Sequence, residues 1–382
     1  MKILLVSSSS GSRGGGEIFL RYLGQGLVKR GHQVIFWCAE HPRMDELASG
    51  LANIGQVVRS PYRNFYDHKT RIVATSLNLR ASHRLAAEWD DLQPDVIHLN
   101  KQNLEDGLDL LRAANLLLIP SLCTVHITQT AGFLRARVAW LRDALALRGL
   151  RSYKGPYVAV QETRRKELSD FLKNGHETRT ILNGVPMLAP ESGKAARECK
   201  RRELGIESDE FLVVGVGRME PQKRPMLFLE LAARLHERVP QARFLWVGDG
   251  GLVLQWDRWV AEHNLNRAIS RVGWQSDVQP FLFAADFFLH VAAFEGLPFA
   301  IIEAMAAGLP CAIPQDLARE ISLFSKDHVF FIEDEEVLAS GLENRNELQA
   351  KASAARALAV EYFSIEKMAS EYEGAYSSLL RK

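Results

Sequence analysis

Residues Phe287–Pro310 read FFLHVAAFEGLPFAIIEAMAAGLP, and the change of periodicity inside this stretch decides the fold. The apolar run Phe287–Val291 has the length and content of a buried strand. Ala292–Phe299, carrying Glu295, Gly296 and Pro298, reads as a turn. From about Ala300 the pattern is helical, and Gly308 with Pro310 ends it. A strand feeding a helix sets the helix N-terminus at the carboxyl edge of a sheet, where free backbone N–H groups hold anions. Glu295 and Glu303 stand eight positions apart, one in the turn and one a turn into the helix. A carboxylate beside bound phosphate is disfavoured unless it accepts hydrogen bonds from hydroxyls, which a sugar supplies. The stretch is expected to hold a phosphorylated sugar, with Glu303 on a diol. The plainer alternative is a helix glutamate that complements the dipole and a solvated loop glutamate.

The same strand–turn–helix unit recurs outward in both directions. Phe211–Val216 reads as a strand, followed by GVGRMEPQKR over Gly215–Arg224 and a helix over Pro225–Val239. Arg218, Lys223 and Arg224 bring three positive charges to that strand's carboxyl end, a pattern suited to an anion. Ala242–Val247 precedes Gly248–Gly251, and Ile269–Val272 precedes Gly273–Val278. In the first half, Lys2–Ser7 reads as a strand, SSSGSRGGGE as a glycine-rich turn, Ile18–Arg30 as a helix and Val34–Cys38 as the second strand. The glycines do not fit G-x-G-x-x-G, although Glu40 could imitate the ribose-binding acid of a dinucleotide site, so a dehydrogenase stays open as an alternative. Asp95–Leu99 and Leu122–Val125 are further strands, ending on Asn100 and His126. Phe133–Lys154 has helical apolar spacing and is strongly basic, through Arg135, Arg137, Arg142, Arg148, Arg151 and Lys154. It is a candidate for a membrane surface or an anionic acceptor, against the alternative of a solvated surface helix. Pro186–Arg197 reads as an interdomain linker.

These stretches together resemble the retaining glycosyltransferases of family four, which have the GT-B fold. Glu295 to Glu303, then the small-residue helix and Gly308-Leu309-Pro310, are similar to that family's E-x7-E and G-x-P signature. Arg218 and Lys223 match its G-R-x-x-x-x-K, Gly14–Glu17 its G-G-x-E turn, Thr124–His126 its T-x-H turn, and Asn183–Val185 the N-G-V turn that leaves the first domain. The resemblance implies an α/β architecture of two doubly wound, Rossmann-like domains facing a cleft. Residues 1–185 would bind acceptor and 186–364 the nucleotide sugar, with the last helix, about 365–382, packed back on the first domain. It also implies that Arg218 and Lys223 hold the donor pyrophosphate, Glu303 the ribose, Glu295 the sugar, and that His126 reaches the transferred sugar. Gly15 and Gly16 would approach the phosphates, and Gly250, Trp274, Val278, Gly296 and Leu297 would complete the donor site. The implied reaction moves a hexose from a UDP-sugar, UDP-glucose being favoured, to a surface polysaccharide or lipid-linked oligosaccharide. Neither metal nor other cofactor is implied. Front-face attack assisted by the leaving phosphate is expected, since no obvious carboxylate nucleophile is placed for a double displacement.

Composition limits the rivals. A chain of 382 residues exceeds one ordinary core, so two domains are expected. The 47 basic and 46 acidic side chains nearly cancel, but residues 1–190 carry a net +8 and 191–382 a net −7. That balance excludes a dedicated nucleic-acid binder while leaving the first half suited to an acidic partner. The scattered Cys38, Cys123, Cys199 and Cys311 show neither metal-ligand spacing nor a disulfide framework, in keeping with reduced thiols. No run reaches the roughly 18 apolar residues of a membrane span, and the N-terminus lacks a signal-peptide pattern, so a cytoplasmic protein is expected, peripheral on the membrane at most. A non-catalytic nucleotide-sugar-binding protein and a GT-B sugar-nucleotide epimerase remain open.

Overall fold

The structure, a computed structural model, describes residues 1–9, 11, 14–64, 67–68, 79–173, 175–187 and 190–381. Ser10, Ser12 and Arg13 of the glycine-rich turn, Leu188 and Ala189 of the expected linker, and the terminal Lys382 lie outside the described residues. The chain forms two compact units, Met1–Gly184 with Ile365–Lys382, and Val185–Ser364.

The first unit is built on a parallel sheet of β1 (Lys2–Ser7), β2 (Gln33–Ala39), β3 (Gln56–Ser60), β4 (Val96–Lys101), β5 (Ser121–Val125), β6 (Tyr157–Ala159) and β7 (Thr178–Thr180). Their order is β3-β2-β1-β4-β5-β6-β7, with Ile3 registered against both Val34 and Val96. Ile3, Leu4, Leu5 and Val6 are wholly buried, as a parallel sheet with helices on both faces requires. Helix Ile365–Leu380 belongs to this unit and packs on helix Gly15–Lys29. Its Tyr376 and Tyr372 bond to His98 Nδ1 (2.7 Å) and Thr124 Oγ1 (2.9 Å) beneath the sheet's centre.

The second unit repeats the plan with β8 (Phe211–Val216), β9 (Ala242–Val247), β10 (Ile269–Arg271), β11 (Phe287–Leu289), β12 (Cys311–Ile313) and β13 (Val329–Phe331), ordered β10-β9-β8-β11-β12-β13. In both sheets the winding reverses beside the unit's first strand, between β1 and β4 and between β8 and β11. Ligands of doubly wound sheets bind in the crevice at such a reversal, off the carboxyl ends of the strands.

Three local expectations are corrected. Helix Pro190–Glu203 begins inside the segment read as linker, because Arg197 and Arg201 anchor it to Asp286 (2.5 and 2.9 Å). The strand expected over Phe287–Val291 ends at Leu289. The helix expected over Phe133–Lys154 runs only over Ala139–Ser152. Before it, Arg135 and Val138 take left-handed backbone angles (φ 50° and 53°), while Asp143 accepts from Ala131 N (2.7 Å) and Gly132 N (3.0 Å). The left-handed residues at 135 and 138 cannot continue a right-handed helix.

Candidate active site

At the β8–β11 reversal the loop after β8 and the signature loop after β11 are tied together. Lys223 Nζ donates to Glu295 Oε1, with the two side chains 18% and 9% exposed. Gln222 O accepts from Ala293 N (2.8 Å), and Gln222 Nε2 donates to Phe294 O (3.0 Å). Arg224 donates to Val291 O and Ala292 O (2.6 and 3.0 Å). This corrects the count of three charges after β8: Arg224 braces the signature loop, leaving exposed Arg218 and half-buried Lys223 as the pair suited to a ligand.

Arg218 is carried by a second set of backbone bonds. Met219 N donates to Asp249 O (2.8 Å) and Leu252 N to Met219 O (3.0 Å), closing the loop after β8 onto the loop after β9. Gly250 sits at that junction with φ 157°, where a Cβ would stand 2.7–2.9 Å from the backbone of Met219. A side chain there would push apart the two turns that hold Arg218, so glycine is required. Gly248 N bonds Gly273 O (2.8 Å), which brings Trp274 to the same edge.

The helix expected from Ala300 spans Phe299–Ala306, and Glu303 is buried on it at 6% exposure. Glu303 lines a small pocket with Gln279, Leu282 and Phe283 of helix Gln279–Ala284, which starts directly after Val278. The two glutamates of the signature therefore face different neighbours: Glu295 meets the lysine, and Glu303 lines a pocket with the helix that follows the Trp274–Val278 loop. Gly296 and Leu297 between them are buried.

In the first unit the glycine turn and His126 form a separate constellation. Gly15 and Gly16 open helix Gly15–Lys29, and a Cβ on Gly16 would collide with the Gln102 side chain. Asn100 Nδ2 donates to Gly16 O (2.9 Å), which turns Asn100 Oδ1 toward the imidazole, where it accepts from His126 Nε2 (2.7 Å). His126 thus carries its proton on Nε2 and presents Nδ1 as an acceptor. Burial pulls its pKa down to about 4, against a smaller upward pull from Asp106, so the ring is neutral near pH 7. Below it, Ser8 Oγ donates to Asp106, which also accepts from Gln102 N (3.0 Å) and Asn103 N (3.1 Å) and pairs with the fully buried Lys101 at 3.5 Å. Asn100 was legible in the sequence only as a polar strand end, and Gln222 and His290 carried no signal beyond their position. Among the described residues no three His, Cys, Asp or Glu side chains converge as a metal-ion set, and no helix is long and apolar enough to cross a membrane.

Two doubly wound parallel sheets, each with polar groups gathered at its reversal, define the GT-B class. The description Glycosyltransferase Family 4 matches residues 13–187, and Glycosyl transferases group 1 matches residues 196–318. The chain belongs to this family of glycosyltransferases. It is 36% identical over 139 residues to the Escherichia coli UDP-Gal:alpha-D-GlcNAc-diphosphoundecaprenol alpha-1,3-galactosyltransferase, a match that spans only 35% of this chain and 35% of that relative. Its fold is similar to that of Anabaena HepE, crystallised with UDP-glucose (TM-score 0.76, 18% identity, 99% of this chain and 100% of that one). It is also similar to sucrose-phosphate synthase from Thermosynechococcus elongatus (TM-score 0.76, 18% identity, 100% of this chain and 99% of that one).

Proposed function

We propose that the protein is a retaining hexosyltransferase that moves a hexose from a UDP-sugar, UDP-glucose being favoured, to a hydroxyl of a surface polysaccharide or lipid-linked oligosaccharide. The observation that carries the reading is the Lys223–Glu295 pair at the β8–β11 reversal, with Arg218 exposed on the same loop after β8. Departure of a nucleoside diphosphate concentrates negative charge, and fixed cations aimed at that charge lower the barrier. Arg218 and Lys223 supply this potential, so the reaction needs no divalent metal. Glu303, buried beside Gln279 at the start of the helix that follows the Trp274–Val278 loop, suits a ribose diol. Glu295 is engaged by lysine rather than poised as a nucleophile, which supports front-face substitution over double displacement. His126 keeps the role the resemblance implies, contact with the transferred sugar, through its acceptor Nδ1. The galactosyltransferase named above, with its UDP-Gal donor and diphosphoundecaprenol acceptor, and HepE with its bound UDP-glucose support the donor and acceptor classes.

A peripheral membrane contact belongs to the same reading, moved from the helix to the turn before it and the helix's first residues. Phe133, Leu134, Val138 and Trp140 are 63%, 45%, 57% and 74% exposed, and Arg135 and Arg137 are exposed among them. Arg142 is withdrawn from this surface by a two-pronged bond to Glu105 (2.7 and 2.6 Å). Apolar side chains flanked by arginines suit an anionic lipid face. The deciding experiment is titration calorimetry with UDP, GDP, ADP and NAD, followed by a mass-spectrometric donor–acceptor screen. Preferred UDP binding with sugar transfer is expected. UDP binding with neither transfer nor donor hydrolysis would make the protein a binder, and NAD preference would replace the reading altogether.

A further inference from the structure

His290 lies one residue beyond β11, where its backbone N–H donates to Ala312 O (2.9 Å) and its ring stacks over Phe288 with centroids 6.3 Å apart. Its side chain is 2% exposed. Nε2 is buried without a hydrogen-bond partner, and it stands 3.7 Å from Glu295 Oε1, the same oxygen that accepts from Lys223 Nζ. A buried polar nitrogen with no partner is destabilising and calls for an explanation. Burial, then the nearby Lys223 and Arg224 cations, hold the imidazole well below its usual pKa, so the ring is neutral and can donate through one nitrogen.

We propose that His290 is a positioning residue that takes over Glu295 Oε1 when the donor's pyrophosphate draws Lys223 away. The proposal rests on the UDP-sugar reading above. In the structure the lysine occupies the carboxylate oxygen and the histidine stands outside bonding distance, at 3.7 Å. A diphosphate competes for the same ammonium group. Once Lys223 turns to it, a movement of about 1 Å closes the 3.7 Å gap to an ordinary hydrogen bond. The exchange keeps Glu295 aimed at the sugar while freeing the lysine's positive charge for the leaving group. The competing view is a histidine that merely fills space against Phe288.

The two views separate in His290→Leu, His290→Gln and Glu295→Gln variants, and in the imidazole 15N spectrum of the parent titrated with UDP. The exchange predicts that His290→Leu weakens UDP binding and lowers kcat/KM for UDP-sugar alike, each by about tenfold, the scale of one charge-assisted hydrogen bond that forms only in the complex. His290→Gln, whose amide N–H reaches a similar point, recovers most of that loss. Adding His290→Leu to Glu295→Gln costs nothing further. The His290 Nε2 resonance shifts at saturating UDP in the parent and stays put in Glu295→Gln. Full turnover in His290→Leu, an additive loss in the double variant, or an unmoved resonance would overturn the exchange. Should His290→Leu fail to fold, the spectrum of the parent and His290→Gln still decide. A parent that shifts its resonance with UDP but transfers no sugar would sustain the exchange and refute the transferase reading. A parent that binds no UDP would remove both.

Discussion

Replacing Glu295 with glutamine tests whether the phosphate cradle is held against itself by charge before the donor arrives. The Lys223 and Glu295 side chains are 18% and 9% exposed, so their pair lies between a surface ion pair and a buried one. Surface pairs contribute about 0.2–1 kcal/mol, whereas breaking a buried pair costs about 3–5 kcal/mol. The pair keeps part of its solvent, which puts the cost of releasing Lys223 near 1 kcal/mol. Ligand binding in the parent must meet this cost; in the variant it is removed, and so is the repulsion between carboxylate and phosphate. UDP should therefore bind up to about fivefold more tightly to Glu295→Gln, to the extent that the His290 bond does not already offset the cost in the parent, since about 1.4 kcal/mol is tenfold. Turnover of UDP-sugar should move the opposite way, falling roughly tenfold to a hundredfold as a hydroxyl loses its charged acceptor. Titration calorimetry with UDP at fixed pH and ionic strength, paired with steady-state transfer, reads both. The gain in UDP affinity should shrink as salt screens the pair. Weaker UDP binding by the variant would refute the reasoning, because the carboxylate would then be a ligand of the nucleotide.

Glu303→Ala should weaken UDP binding by about tenfold or more through loss of a charged hydrogen bond to the ribose, and an unchanged dissociation constant would remove that assignment. Arg218→Ala and Lys223→Ala should each cut turnover about a hundredfold while the parent keeps its activity in EDTA; abolition by EDTA with rescue by manganese would argue for a metal in the cations' place. His98 and His126 are held neutral by burial, with pKa values lowered to about 3 and about 4. The unfolded chain takes up these protons near pH 6.5 and the folded one does not, so stability is full above that pH and is lost as pH falls toward 4. By pH 5 each histidine should cost about 2 kcal/mol, seen as a lower urea midpoint than at pH 7.5 that His98→Gln partly levels; equal midpoints would sink the claim. The protein should float with anionic liposomes at low salt, with Trp140 emission shifting to the blue, and Arg135→Gln with Arg137→Gln should weaken flotation where Arg142→Gln does so far less.

The elements and their kind were legible because they depend on local periodicity. The stretch KILLVS, apolar over Ile3–Val6, is β1 residue for residue, and Phe211–Val216 is β8. The small-residue helix after Glu295 was likewise readable, as were the cations beyond β8. What lay outside the sequence is which loop meets which. Lys223 and Glu295 are 72 positions apart and meet because β11 pairs with β8, although β9 and β10 come between them in the chain. Periodicity says that a segment is a strand, but strand order is settled by which apolar faces the crossover helices can cover together. The Gly16–Asn100–His126 chain arises in the same way from β4 lying beside β1 and β5. Arg224 and Arg142 looked like free charge in the sequence, and packing assigned one to backbone carbonyls and the other to Glu105. The turn before Ala139 defeated its own helical spacing because Arg135 and Val138 take left-handed backbone angles, which a right-handed helix cannot include and which only the folded chain decides.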